Sequence, residues 1–570
     1  MNYKGRYFLI VTSLLMIVSG LVWRVVNLQV VEQDFLRNQG DMRTNRVVGI
    51  PAYRGMITDR NGEPLAISTP VESVWANPKE FDTEHPQLLA LAGLLDLSLD
   101  ELVNKINSAG GREFIYLQRH ITPHLADKIK GLAIPGVRLK TEYRRYYPAG
   151  EVTAHVLGFT NIDGQGKEGI ELAFDDTLRG TNGSKRVVRD RRGREVQILD
   201  GLQEMQSGEN VTLSLDQRLQ YLAYRELKAA VVSSGAEAGS AVVIDVATGE
   251  ILAMVNQPSF NPNMRIKLRT DGRYCNRAAV FKLEPGSVAK TFSVVNALQN
   301  GHVTPGTLID TSPGWMNVSG HMVKEDKHKN FGVIDVASIL MRSSNIGVTK
   351  LTLSLPPHSL IDTLQKFGFG KTTESGFPGE SSGTLIAPPK RGTFVLATMA
   401  FGYGMSVTPL QLARAYAALG AGGVIRPATF LKQMDIPKGE QIIDPVVARQ
   451  VVDMLSGVVE EGGGKKAKVV GYRTAGKTGT TRKVAQTGGY LPGNHVAVFA
   501  GLAPASNPRF AIVVVIDDPK GDLYYGSQLA APVFSKIAAG ALRLFNIPPD
   551  MLDNQNLRVA RVQDDRTQHD

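Results

Sequence analysis

The stretch "YFLIVTSLLMIVSGLVW", Tyr7 to Trp23, carries no charged residue over seventeen positions. At ~1.5 Å per residue a helix of that length spans roughly 26 Å, slightly under the ~30 Å hydrocarbon core of a bilayer. Arg24 can snorkel at its end, and "VVNLQVV" behind it can extend the helix. A cleaved leader normally has a shorter apolar run that ends in an A-x-A-like site, which is absent here. The expectation is an uncleaved, single-pass anchor over 7–29 behind a cytosolic tail of 1–6. Lys4 and Arg6 precede the span while Arg24, Arg37, Arg43 and Arg46 follow it, so the positive-inside rule gives little help with orientation. So short a tail has little room for a function, which places the bulk of the chain on the outer side.

At 570 residues the chain is too long for one core and implies two to four domains. The net charge of +10 fits an anionic partner such as lipid or an acidic polymer. No zinc-finger spacing or RNP-like aromatic run accompanies that charge, so nucleic acid is set aside. Cys275 is the single cysteine, which excludes an intramolecular disulfide, a cysteine-based zinc cluster and an iron–sulfur centre.

"RGMITDRNGEPLAIS" (Arg54 to Ser68) reads as short strands around an Asn-Gly turn. Residues 84–132 alternate helical stretches with polar breaks, and "KRVVRDRRGREVQ" looks like a basic hairpin turning at Arg192–Gly193. These segments form one elongated module over 45–205. A second module, 210–545, opens with an amphipathic helix in "LSLDQRLQYLAYREL" and a hairpin joined at Thr248–Gly249. Helical segments dominate from Ser287 to about Val459. Strand signal returns in "YRTAGKTGTTRKV", "NHVAVFAGLAP" and "RFAIVVVIDDP". Strands at both ends of the module bracket a helical middle, which predicts one antiparallel sheet of about five strands with helices on both faces. Residues 550–570 are polar and charged and are expected to be disordered.

The chemistry concentrates in "KLEPGSVAKTF". Pro285 and Gly286 read as a turn, and Ser287 and Lys290 fall on one face of the helix that follows. A capping serine followed by a surface lysine is the plain alternative. Two further segments alter that reading. "MRSSNIGVTK" places Ser343 and Asn345 as S-x-N, and "AGKTGTT" places Lys477, Thr478, Gly479 and Thr480 on a strand. Each residue type has a task. Ser287 is a weak nucleophile that needs a base, and a partly buried Lys290 beside another cation can be one. Ser343 can relay a proton and Asn345 can hold a substrate amide. Lys477 supplies charge for a terminal carboxylate and lowers the pKa of Lys290, and the Thr478 and Thr480 hydroxyls can bind the same carboxylate. The backbone N–H groups of Ser287 and Thr480 suit an oxyanion hole. Gly479 keeps the strand open where a side chain would crowd the substrate.

S-x-x-K, S-x-N and K-T-G in this order form the signature of serine β-lactamases and penicillin-binding proteins. The chain resembles the class B penicillin-binding proteins, on the division-specific side of that class. "RGMITDRNGEPLA", "RRYYPAGEVTAHVLGFTN" and "GKEGIELAFDDTLRG" resemble the pedestal motifs. "NRAAVFKLEPGSVAKTF", "SSNIGV", "FGYGMSVTPLQLARAYA", "YRTAGKTGT" and "YYGSQLAAPVF" resemble the catalytic domain. The resemblance implies an α/β (α+β) transpeptidase fold of the serine β-lactamase-like kind on a pedestal, or dimerisation, domain. It implies a peptidoglycan D,D-transpeptidase in which Ser287 attacks a D-Ala–D-Ala stem peptide, releases D-alanine and passes the acyl group to a neighbouring amine. β-Lactams would acylate the same serine, and no cofactor or metal is implied. Implied partners are the glycan polymerase FtsW and other division proteins, at the septal inner membrane with the catalytic domain in the periplasm. The short tail and Thr291–Phe292, where relatives often carry proline, depart from the pattern.

A serine β-lactamase needs a second base for deacylation, and no E-x-x-L-N element follows the S-x-N. A D,D-carboxypeptidase differs only in its acceptor. A non-catalytic β-lactam sensor or scaffold has no need of Ser287 and Lys290 together. His321, Glu325, Asp326 and His328 form a possible metal cluster, against which a solvated loop is the preferred reading. His495 reads as packed, and Lys465, Lys466 and Lys468 as a mobile exposed loop. "FGFGKTTES" lacks the glycine that a Walker A loop needs at Gln365.

Overall fold

The computed structural model describes residues 3–36, 45–189, 195–264, 272–387, 392–484 and 489–551. Arg37, Arg43, the Arg192–Gly193 turn and the tail beyond Met551 lie outside the described residues. The chain divides into two compact units, 1–55 with 179–209 and 56–178 with 210–570, and each is taken by itself.

In the first unit the helix Tyr3–Val26 continues as a π-helical turn, Asn27–Val31. Among the described residues, this 29-residue span is the one helix long and apolar enough to cross a membrane. Leu14, Ile17 and Trp23 are exposed on it, and an apolar surface all round matches lipid rather than water. The same unit holds a three-stranded antiparallel sheet with Gly183–Arg189 between Asn45–Ile50 and Glu195–Gln203. The last two strands in sequence are the arms of the expected basic hairpin.

The second unit begins with the expected Asn-Gly turn. Asp59 Oδ1 accepts from the backbone N–H groups of Asn61 (2.7 Å) and Glu63 (2.9 Å), which returns strand Ile57–Thr58 onto strand Pro64–Ala76. That long strand pairs with both Ile115–Ile121 and Val137–Tyr146. Short helices close a small core around Val74, Leu91, Leu102 and Ile129.

Beyond residue 210 the chain runs through α1 (Gln217–Ser233), β1 (Ala238–Asp245), β2 (Ile251–Gln257) and α2 (Lys290–Gln299). There follow α3 (Val336–Arg342), α4 (Asn345–Leu353), α5 (Pro409–Gly420) and α6 (Pro445–Glu460). β3 (Ala475–Val484), β4 (Tyr490–Ala503), β5 (Phe510–Asp517) and α7 (Gly526–Leu544) complete it. The five strands form one antiparallel sheet in the order β2-β1-β5-β4-β3. This is the architecture expected from the sequence.

The period of two explains why helices cover both faces. On β5, Phe510, Ile512, Val514 and Ile516 pack towards α1 and α7. Ala511, Val513 and Val515 pack towards the helical middle, which includes α2, α5 and α6. Helix starts are marked locally as well. Asp216 caps α1 by accepting from Arg218 and Leu219 N–H, and Thr408 with Gln411 forms a capping box ahead of Pro409. The stretch read as helical also contains two short hairpins, Leu308–Asp310 with Val333–Asp335 and Trp315–Val318 with His321–Lys324. Their strands of three or four residues are too brief to show alternation.

Thr291 and Phe292, the departures after the lysine, are core residues. The Thr291 hydroxyl meets Tyr416 Oη at 2.9 Å, and the Phe292 ring packs against Phe367, Phe369 and Tyr416. Phe292→Ala should therefore destabilise the catalytic unit by about 3–5 kcal/mol. Denaturant unfolding of the two proteins checks this; a loss below about 1 kcal/mol would mean that the aromatic cluster does not hold α2.

Candidate active site

Ser287 lies in a 3-10 turn, Gly286–Ala289, that runs into α2 at Lys290. In that geometry side chains three apart nearly eclipse, so Ser287 and Lys290 share one side. Neither the turn nor α2 has a side-chain cap, which removes the capping role for Ser287. Gly286 has φ +52°, and a Cβ there would stand 2.4 Å from Thr481 Cγ2. Only glycine suits that corner.

Ser343 ends α3 in the left-handed region, φ 58° and ψ 44°, which is unusual for a non-glycine residue. This twist turns both its carbonyl and its hydroxyl towards Lys290, whose Nζ donates to them at 2.6 and 3.2 Å. Asn345 Oδ1 is the third acceptor, at 2.7 Å, and Asn345 Nδ2 donates to the Lys324 carbonyl at 2.8 Å. Lys477, from edge strand β3, donates to Ser343 Oγ at 3.0 Å. Two lysines thus converge on one hydroxyl, and each is only 1 % exposed.

Burial pushes the Lys290 ammonium well below the usual lysine range, and the charge of Lys477 pushes it further; Glu325 and Asp326 act in the opposite direction. Burial also brings Lys477 down to about 7. The hydrogen bonds around Lys290 suit either protonation state. As an ammonium it has three donors for three acceptors. As a free amine it keeps two donors for the carbonyl and the amide oxygen, and the Ser343 hydroxyl rotates to donate to its lone pair. Ser343 Oγ still accepts from Lys477. One hydroxyl rotation therefore accompanies the loss of a proton.

Strand period divides the K-T-G element. Lys477 and Gly479 pair with Ala500 and Val498 on the face that carries the Ser287 turn. A Cβ at Gly479 would lie 2.8 Å from Pro285 O and 2.9 Å from Val288 Cγ2. Glycine there makes room for the Ser287 turn itself. Thr478 and Thr480 lie on the opposite face, at the rim of a cavity of about 410 Å³. Thr480 Oγ1 accepts from the Gly526 N–H at 3.0 Å, which leaves its O–H free to donate. Ser287, Lys290, Ser343 and Asn345 line the same cavity. Lys477 is not among the lining residues; it reaches Ser343 from behind.

Other expectations need revision. Glu325 is 3 % exposed and bonded to the S-x-N turn, so it does not belong to a solvated loop. His321 stacks on Phe394, with ring centroids 4.4 Å apart. His495 is packed on Tyr524 at 4.2 Å but also lines the cavity, with Tyr524 and Tyr525 beside it. Lys465, Lys466 and Lys468 are exposed as expected, the first two in a short 3-10 turn beside buried Ala467 and the third paired with Glu460 at 2.7 Å.

Comparison with known proteins gives this arrangement its family. Residues 239–539 match the penicillin-binding protein transpeptidase domain, and residues 49–213 match the penicillin-binding protein dimerisation domain. The peptidoglycan D,D-transpeptidase FtsI of Escherichia coli strain K12 is 44% identical over 553 residues, 96% of this chain and 93% of its own. The probable peptidoglycan D,D-transpeptidase PbpC of Pseudomonas aeruginosa is 39% identical over 100% of this chain and 99% of its own. The crystal structure of penicillin-binding protein 3 from Mycobacterium tuberculosis complexed with ampicillin has a TM-score of 0.69 at 27% identity, covering 89% of this chain and 98% of that one. The chain belongs to the class B penicillin-binding proteins.

Burying Lys477 has a cost that depends on pH. The unfolded lysine keeps its proton to about 10.5, the folded one only to about 7. Between those values the unfolded chain binds more protons, so the cost shrinks as pH rises. Lys477→Met should raise stability at pH 7 by on the order of 2–4 kcal/mol, with the gain fading towards pH 10. Thermal unfolding across that range checks it; a gain independent of pH would mean that burial does not weaken the lysine's hold on its proton.

Proposed function

We propose that this chain is a serine-type peptidoglycan D,D-transpeptidase of cell division. The observation that carries the reading is the meeting of three segments, far apart in sequence, around one cavity: Ser287 with Lys290, Ser343 with Asn345, and the edge of β3 with Thr478 and Thr480. Lys290, depressed by burial and by Lys477, takes the Ser287 proton as a free amine once the Ser343 hydroxyl rotates off its lone pair. Ser287 Oγ bonds to the carbonyl carbon of the penultimate D-alanine, and the developing oxyanion faces the backbone N–H groups of Ser287 and Thr480. The peptide C–N bond breaks, and the leaving D-alanine receives its proton through Ser343. An acceptor amine then attacks the ester and forms the cross-link, and Ser287 regains its proton. If water replaces the amine the same chemistry is a D,D-carboxypeptidase reaction.

The remaining residues bind rather than react. Asn345 holds the substrate amide. The Thr478 and Thr480 hydroxyls take the terminal carboxylate, and Lys477 adds its charge through Ser343. β3 is the last strand of the sheet, so alternate backbone groups on its outer edge are open to an extended peptide. In this reading 1–6 is a cytosolic tail, 7–29 the anchor, 45–205 the pedestal and 210–545 the catalytic domain. The catalytic domain stands in the periplasm at the septum, and FtsW is the polymerase partner.

Fluorescent penicillin should label the wild type covalently, and Ser287→Ala should remove the label. Lys290→Ala should slow acylation by at least about 10³-fold. Labelling that survives at Ser287→Ala would place the nucleophile elsewhere. With pentapeptide-bearing glycan strands, cross-linked dimers mean transfer and tetrapeptide alone means hydrolysis. A C-terminal alkaline phosphatase fusion should be active; an intact but silent fusion would reverse the topology.

A further inference from the structure

S-x-N has a serine at its middle position here, Ser344, and something else must supply the negative charge that an S-D-N sequence carries there. Ser344 is fully buried and caps α4, its Oγ accepting from Gly347 N–H at 2.8 Å. Its own proton goes to Glu325 Oε1. The other contacts of that carboxylate converge on the same turn. Glu325 Oε2 accepts from Asn345 N–H at 2.7 Å, and Oε1 accepts from Ile346 N–H at 3.2 Å. Two of the three donors are the first N–H groups of a nine-residue helix, which have no partner within the helix and favour negative charge, and the third is the hydroxyl of its N-cap residue. The residue before Glu325 holds the side chain of Asn345 through the Lys324 carbonyl.

We propose that Glu325 is the positioning residue of the S-x-N element, holding the Ser343–Asn345 turn so that its carbonyl, hydroxyl and amide oxygen all face Lys290. The inference rests on the transpeptidase reading of the site. A serine held at φ 58° stores backbone strain that relaxes unless its neighbours are fixed. Glu325 fixes them from outside, directly after the short hairpin Trp315–Val318 with His321–Lys324. It holds the turn through its hydrogen bonds to Ser344, Asn345 and Ile346, and it also lines the cavity, where its charge reaches Lys290.

The carboxylate also sets the charge around the base. The charged groups that act on Lys290 are Lys477 from β3 and Glu325 and Asp326 from the turn after the hairpin, with Lys329, Arg342, Arg482 and His495 farther round the cavity. Glu325 and Asp326 favour the ammonium and oppose Lys477. Loss of the Glu325 charge therefore lets Lys290 give up its proton at lower pH.

The test is stopped-flow acylation of the full-length protein in detergent by a fluorescent penicillin, from pH 5 to 9. Glu325→Gln keeps the shape but has one acceptor oxygen instead of two. Its acylation step should slow at least tenfold, the dissociation constant of the noncovalent complex should stay within threefold, and the acid limb should move to lower pH. An unchanged acylation step overturns the proposal. So does a loss shared with noncovalent binding, or an acid limb that stays in place, since a merely structural role predicts those. If Glu325→Gln does not fold, Ser344→Ala carries the test. It keeps the charge and removes the donor to Glu325 together with the cap on α4, so acylation slows severalfold with the acid limb unmoved; a rate within twofold of wild type overturns the proposal. Ser287→Ala in the same experiment reports separately on the nucleophile.

Discussion

Two lysines buried against one serine hydroxyl are the constraint that the rest of the catalytic unit satisfies. Water would solvate both ammonium groups cheaply, whereas at 1 % exposure neither has that option. The surrounding structure supplies oxygen in place of water: a carbonyl, a hydroxyl and an amide oxygen around Lys290, and the same hydroxyl for Lys477. It also supplies one buried carboxylate, Glu325, one helix start away. The arrangement is tolerable because one lysine can be neutral. That tolerance is also its chemical value, since a neutral amine among fixed oxygens is a base with its lone pair already directed.

A sheet edge turns this buried network into a usable site. Period two sends Lys477 inward to Ser343, while Thr478 and Thr480, one residue on either side of Gly479, stay at the cavity rim. A single strand thereby reaches the proton network with one face and the opening with the other. The absent side chain at Gly479 lets the Ser287 turn press against that strand from Pro285 to Val288. Positive φ at Gly286 and the 3-10 winding behind it carry the serine out to the opening while Lys290 stays in the core. Ser287 is thus partly exposed and Lys290 buried, three residues apart and lining one cavity.

Much of this was legible before any coordinates, for physical reasons. The sheet strands are long and hydrophobic, and the turns between them carry Thr248–Gly249 or the "ASNP" stretch, so the strands and their gathering in one antiparallel sheet follow from pattern, though not their order. The anchor followed from a run without charge. The three catalytic elements are short, and their residue types have few other uses in combination. What stayed hidden depends on contacts between distant segments. "VKEDKHKN" looks like solvent-facing loop because its composition is polar, and nothing within it shows that Glu325 meets residues 344–346. The obstacle that Gly479 avoids, Pro285 and Val288, is likewise far upstream in the sequence. Lys477 read as a residue facing substrate because strand position gives a face, not a depth.

The position of the departures from family pattern follows from the same division between core and opening. Thr291 and Phe292 come directly after the base, at the point where α2 enters the hydrophobic core, and both are buried against Tyr416. A β-branched polar residue is acceptable there because its hydroxyl finds the Tyr416 hydroxyl, and a large ring is acceptable because Phe367 and Phe369 frame it. Such a change adds apolar contact behind Lys290 without altering any atom that Lys290 donates to. The acceptors all come from the other side, from Ser343 and Asn345. The helix that carries the base can thus vary on its core face while its chemistry is fixed by the turn opposite, and that turn is fixed by a carboxylate outside all three motifs.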